Sequence, residues 1–159
     1  MTTAPLKKFR GFTLIELLIV IAIMGILAAA VLVAVNPLKR QQQARDSGRK
    51  SDVGQIATAL QAWSTSPGQG NYPSNGGGTN GVASTVLTAL TASDLKRVPD
   101  DPSGGAVHYT YTANSATPGD SAVYAALEAP TGAAGSIWCW RSSTGIASEM
   151  TGAAACTAP

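Results

Sequence analysis

The chain of 159 residues has a formal charge of +2, and that small excess is unevenly placed. Residues 1–63 carry eight Lys or Arg against Glu16, Asp46 and Asp52, whereas residues 64–159 carry three, Lys96, Arg97 and Arg141, against six Asp or Glu. The acidic carboxy-terminal portion offers no basic footprint for nucleic acid, and one histidine with two cysteines makes no zinc set.

The amino-terminal stretch Lys7-Lys8-Phe9-Arg10-Gly11-Phe12-Thr13-Leu14-Ile15-Glu16 runs from a short basic leader through a glycine into an apolar segment. From Phe12 to Val35 the only polar side chains are Thr13 and Glu16. As a helix this segment rises about 36 Å, enough to cross a bilayer with some tilt. An ionisable group inside such a span costs roughly 2.5–3.5 kcal/mol on insertion scales, which marks Glu16 as a functional candidate. Three plainer readings fit less well. A secretory signal has a shorter apolar core, about 7–15 residues, with its cleavage site behind it. An ordinary single-span anchor has no reason to carry Glu16. A buried soluble helix is seldom apolar all round for so long.

A basic leader ending in Gly11, then Phe12-Thr13-Leu14-Ile15-Glu16 and an apolar helix, resembles the type IV prepilin signature, without a gap from Lys7 to Ala30. The resemblance implies that a prepilin peptidase in the membrane cuts between Gly11 and Phe12 and methylates the new amino terminus at Phe12. It implies a single-pass precursor in the cytoplasmic membrane with the remainder outside. Subunits are then drawn by an inner-membrane assembly machinery into a helical filament of identical or related chains, ending on the cell surface as a pilus. In a filament core nearly as dry as lipid a carboxylate needs a partner, and the family's partner for Glu16 is the Phe12 amine of a neighbouring subunit. Counting basic flanks does not favour this orientation, because Lys39, Arg40, Arg45, Arg49 and Lys50 follow the span. The leader motif sets the direction instead, since the peptidase acts at the cytoplasmic face.

Beyond Val35 an amphipathic rod is expected to residue 63, with Val53, Ile56, Leu60 and Trp63 as its apolar stripe. Residues 39–52, polar on most faces, read as a solvated or subunit-bridging stretch. Proline inside a helix removes a backbone bond and crowds the preceding turn, at a cost of about 3 kcal/mol or more. Asn36-Pro37 therefore predicts either a simple bend or a locally unwound segment. In many type IV pilins the helix melts on assembly between a glycine and a proline. Gly25 matches the family glycine, but Val33 stands at the usual proline position and Pro37 follows four residues later.

Residues 66–81, rich in Gly, Asn, Ser and Pro, predict a long loop, which in the pilin family lies on the filament surface. Residues 84–95 predict a short helix with Val86, Leu87, Leu90 and Leu95 on its apolar side, and residues 98–105 a turn. Strands are expected over 107–112, 122–129 and 136–141, in an antiparallel meander that needs cover on one face. The Pro99-Asp100-Asp101-Pro102 turn followed by Tyr109-Thr110-Tyr111 also resembles the head of type II secretion major pseudopilins. In an exported protein the isolated pair Cys139 and Cys156 reads as a disulfide, closing a loop worth about 3 kcal/mol on the chain-entropy model. The alternative is two free thiols in a reducing compartment. The bridge would pin a Gly/Ala/Ser/Thr-rich tail that otherwise has little reason to fold.

Catalysis finds no support. His108 sits mid-strand beside tyrosines, and Gly48-Arg49-Lys50-Ser51 lacks the upstream glycine and strand of a phosphate-binding loop. Asp100, Asp101 and Asp120 are turn residues that offer at most a calcium site, so no cofactor is expected apart from that ion. The whole predicts an α+β chain: a leader over 1–11, a long helix over 12–63 divided into span (12–35) and rod (36–63), and a head over 64–159 packed on the rod. Its expected function is that of a type IV pilus subunit serving adhesion, twitching motility or DNA uptake. The alternatives are a type II secretion pseudopilin and a membrane-tethered surface domain that never polymerises.

Overall fold

The computed structural model describes residues 11–66, 70–74, 81–82, 90, 95–104, 109–113 and 119–156. The chain divides into two compact units at Arg40/Gln41. In the first, helix α1 runs Leu14–Val35, and none of its residues is buried. Its 22 residues rise about 33 Å, close to the thickness of a bilayer's hydrocarbon core. It stops at Asn36, whose backbone is left-handed (φ 44°). The residue before a proline is disfavoured in the right-handed helical region, and asparagine tolerates the left-handed one better than most. Pro37 then opens helix α2, Pro37–Thr65, at the one helical position where its missing N–H costs nothing. The Asn36 Oδ1 accepts from the Lys39 backbone N–H at 3.3 Å, and the Asn36 carbonyl from Arg40 at 3.3 Å. A single residue thus ends one helix and caps the next. In the single chain the break is one residue wide.

In the second unit, the part of α2 from Gln41 onward packs on a five-stranded antiparallel sheet in the order β1-β2-β3-β4-β5. The strands are β1 Gly81–Val82, β2 Thr110–Ala113, β3 Ser121–Ala126, β4 Ser136–Arg141 and β5 Ala147–Thr151. The registers Tyr111↔Val123↔Trp140 and Ala125↔Trp138 put one set of side chains on the helix-facing side. There Tyr109, Tyr111, Val123, Ala125 and Trp140 form one core with Val53, Ile56, Ala57 and Leu60 of α2. Trp63 and Trp138 are partly buried against it. The opposite face carries Ala122, Ile137 and Cys139, covered by Cys156 with Tyr124 and Met150 alongside. Pairing period two explains the division: a residue and its cross-strand partner share a face, and the next pair points the other way.

Strand β4 occupies the residues expected of it. Strand β3 ends at Ala126, three residues short, because Glu128 and Ala129 leave the sheet and turn their N–H groups to Asp46 of α2, at 3.0 and 2.7 Å. Strand β5 was unexpected: Ala147-Ser148-Glu149-Met150-Thr151 has little strand propensity of its own and is templated by β4 from Trp140↔Ala147 to Ser136↔Thr151. The helix expected over 84–95 lies outside the described residues except Leu90, which is buried, and Leu95, whose N–H bonds the Leu90 carbonyl. Residues 107–108, the start of the first expected strand, and His108 with them, also lie outside. Of the expected loop, Tyr72 meets the Trp140 ring edge-on at 6.4 Å, and the Pro73 carbonyl accepts from the Tyr111 hydroxyl at 2.8 Å.

Cys139 and Cys156 form a disulfide with Cα atoms 5.9 Å apart, and both are fully buried. The bridge ties the turn that ends at Cys156 under the sheet. Cys156→Ser is expected to cost about 2–5 kcal/mol and to raise protease sensitivity after Arg141. Urea denaturation and limited proteolysis of the exported protein check this, and native thiols that react readily with an alkylating agent would refute the bridge.

Candidate functional site

Two constellations bear on function, one in each unit. The first lies at the start of α1. Thr13 is the cap: its Oγ1 accepts from the Glu16 N–H at 3.3 Å, while Glu16 Oε2 accepts from the Thr13 N–H at 2.9 Å and from Thr13 Oγ1 at 2.8 Å. This is a reciprocal capping box, in which a Thr and a Glu three residues on satisfy each other's orphan donors. The pattern was legible in Thr13-x-x-Glu16 ahead of an apolar run, but the sequence reading assigned Glu16 only an intermolecular role. Both Thr13 bonds use one oxygen, so among the described residues Oε1 keeps its lone pairs for another cation. Phe12 is exposed, and a side chain added at Gly11 or Gly25 would meet nothing within 4 Å. A mid-helix glycine costs about 1 kcal/mol against alanine, and no packing among the described residues explains the one at position 25. Pro37 starts α2, as described.

The second constellation is buried in the head, where a solvated or subunit-bridging stretch was expected. The stripe Val53, Ile56, Leu60 continues backward at helical spacing onto Arg49 and Asp46, and both are buried. Arg49 bonds Asp101 through Nε at 2.7 Å and Nη2 at 2.9 Å, Asp46 at 2.8 Å, and Glu128 at 2.6 Å. Arg45, one turn earlier, bonds both oxygens of Glu128. One guanidinium therefore joins three carboxylates from α2, the 98–104 turn and the segment after β3. The turn approaches the helix so closely that a Cβ on Gly48 would lie 3.2 Å from the Pro102 ring. Next along the stripe, the Tyr109 hydroxyl donates to Asp52 at 2.5 Å, and burial with that bond pushes its pKa well above the ordinary value. Polarity along residues 39–52 does not reveal the cluster, because these charges are buried by partners distant in sequence. The phase of the stripe was the available signal.

The cluster is expected to make the head acid-sensitive. Bonds from Arg45 and then Arg49 hold Glu128 down to about 2, and the Arg49 bond holds Asp101 below the usual carboxylate range against the opposing effect of burial. Both carboxyls are depressed in the folded state, so the stability they contribute is complete above about pH 5 and is lost as pH falls from about 4.5 toward 2. Urea midpoints are expected to be flat from pH 7 to about 5 and to fall below that. A flat profile down to pH 3 would refute the assignment.

The three carboxylates considered for calcium each have a partner within the chain. Asp101 belongs to Arg49, Asp100 pairs with the exposed Arg97 at 3.4 Å, and Asp120 accepts from Ser142 at 3.4 Å. Among the described residues no group of three or more His, Cys, Asp or Glu is placed to hold a metal ion.

Residues 6–32 match the family described as the prokaryotic N-terminal methylation motif. Type II secretion system core protein G of Pseudomonas aeruginosa is 33% identical over 109 residues, which cover 65% of this chain and 74% of that one. The chain belongs to the type IV pilin and type II secretion pseudopilin superfamily. The second match is far longer than the methylation motif and so takes in part of the head of this pilin-like chain. No solved structure matches it significantly. Superfamily members are structural filament subunits rather than enzymes. Membership implies a membrane-anchored precursor, processing by a prepilin peptidase and assembly with related subunits.

Proposed function

We propose that this pilin-like chain is a structural subunit of a type IV pilus, cut between Gly11 and Phe12, methylated on Phe12 and polymerised through α1. The observation that carries the filament reading is an entirely exposed apolar helix that begins at a capped carboxylate. Without a membrane or neighbours, α1 leaves its whole apolar surface in water, at roughly 25 cal/mol per Å². Lipid before assembly and sister helices afterwards both remove that cost. Glu16 then offers its unused oxygen to the Phe12 amine of a neighbour. Gly25 gives neighbouring helices a place of close approach, and the Asn36-Pro37 break provides the bend. The disulfide-closed end of the head suits a subunit exposed outside the cell.

A second reading, a type II secretion pseudopilin, is favoured by the similarity to core protein G. Electron microscopy of sheared cells and a secretion assay on a deletion strain separate the two: surface filaments with intact secretion support the pilus, and the reverse supports the pseudopilus. Processing is tested by mass spectrometry, which is expected to find an amino terminus at methylated Phe12. Gly11→Leu is expected to leave the precursor uncut. Mature surface protein that still begins at Met1 would overturn the central claim.

A further inference from the structure

We infer that Lys39 and Arg40 are a docking pair for the phosphate of anionic phospholipid headgroups, holding the membrane-anchored precursor at the bilayer surface. The inference rests on the membrane stage of the pilin-like reading and is the same for pilus and pseudopilus. Five basic residues follow the span: Lys39, Arg40, Arg45, Arg49 and Lys50. Three of them are engaged in the head. Arg45 and Arg49 pair with carboxylates, and Lys50 Nζ lies 4.7 Å from the centre of the Trp138 ring. Lys39 and Arg40 belong instead to the unit that contains α1, and both are exposed. Among the described residues neither forms an ion pair.

No carboxylate of their own unit can serve them. Up to Arg45 the chain has a single acidic residue, Glu16, which stands at the far end of α1, roughly 30 Å away along the helix. A bilayer's hydrocarbon core is about 30 Å thick, and the headgroup layers bring the whole to about 40–45 Å. The 22 residues of α1 fill the core. Lys39 and Arg40 follow Val35 by about 6–8 Å of helical rise, which is the depth of one headgroup layer. Leu38, also exposed, carries the apolar surface up to the pair. The Asn36 bonds to their two backbone N–H groups, each at 3.3 Å, fix the turn on which the cations stand. Lys and Arg at such a boundary lay their stems on apolar surface and lift the charge into the interface. There a guanidinium matches two phosphate oxygens at once, and the ammonium adds a point charge.

The test uses the full chain in phosphatidylcholine nanodiscs that contain phosphatidylglycerol as the minor lipid. A photo-reactive benzoylphenylalanine replaces Leu38, beside the pair, or Leu27, within the span, both exposed positions, and mass spectrometry identifies the cross-linked lipids. The probe at position 27 is expected to capture the two lipids in their bulk ratio. The probe at position 38 is expected to favour phosphatidylglycerol about tenfold. Lys39→Gln with Arg40→Gln should abolish that excess, whereas Arg40→Lys and the exposed head control Lys96→Gln should keep it. Because the excess is first read with both cations intact, a folding defect in a variant does not obscure the answer. Exchanging chloride for inorganic phosphate at equal ionic strength should leave the excess in place, and displacement by phosphate alone would overturn the lipid assignment in favour of a small-anion site. Bulk-ratio capture at position 38, or an excess that survives loss of both cations, would overturn the inference while lipid captured at position 27 leaves the membrane reading standing. Lipid at neither position would overturn both.

Discussion

Glu16→Gln is expected to leave the start of α1 intact and to reduce filament assembly about thirtyfold or more. The reason lies in the two tasks of that side chain. One oxygen accepts both Thr13 bonds, at 2.9 and 2.8 Å, and the amide oxygen of glutamine performs the same capping role. The other task, which we propose to be neutralising a neighbour's terminal amine in a dry filament core, requires the charge. Removing one partner of a buried charge pair costs about 2–5 kcal/mol, mostly from the charge left behind. Glu16→Ala removes cap and charge together and is expected to assemble no better. Both variants should still be exported and cut before Phe12, since the cleavage site is unchanged. Filament yield from sheared cells, beside mass spectrometry of the membrane-bound pool, reads the two steps separately. If Glu16→Gln assembles normally while Glu16→Ala does not, the carboxylate matters as a helix cap and the pairing mechanism is wrong.

Arg49→Met should be the most destabilising single substitution in the head. It removes the cation shared by Asp46, Asp101 and Glu128 while keeping the side chain's bulk. Breaking a buried pair by deleting one partner costs about 3–5 kcal/mol, and here Asp46 and Asp101 stay buried without it. Arg45 remains beside Glu128 and spares that carboxylate the full penalty. The loss should therefore be greatest near neutral pH, where the carboxylates are charged, and should shrink as pH falls and protonation removes the repulsion. Urea unfolding of the detergent-solubilised chain, followed by the near-ultraviolet signal of Trp138 and Trp140, measures both the drop and its pH dependence. A drop that does not change between pH 7 and pH 4 would show that packing, rather than stranded charge, is responsible.

Sequence by itself was sufficient wherever one local rule acts without competition. The span and the place of Glu16 within it are legible because a helix long enough to cross a bilayer needs an unbroken apolar run and punishes any charge within it. The break before Pro37 follows from the proline ring alone, and β4 from a run of β-branched and aromatic residues between turn signals. Tertiary structure decided the rest. Residues 45–49 look solvated until the 98–104 turn and the segment after β3 bring Asp101 and Glu128 to Arg49, partners 52 and 79 positions away in sequence. The bonds from the Glu128 and Ala129 N–H groups to Asp46 turn these residues away from the sheet and end β3 early. Strand β5 exists because β4 offers it an edge and the disulfide holds the chain beneath the sheet, not because its own residues favour extension. Burial of charge and templating of weak strands are both settled by partners distant in sequence, and periodicity along the chain carries no record of who those partners are.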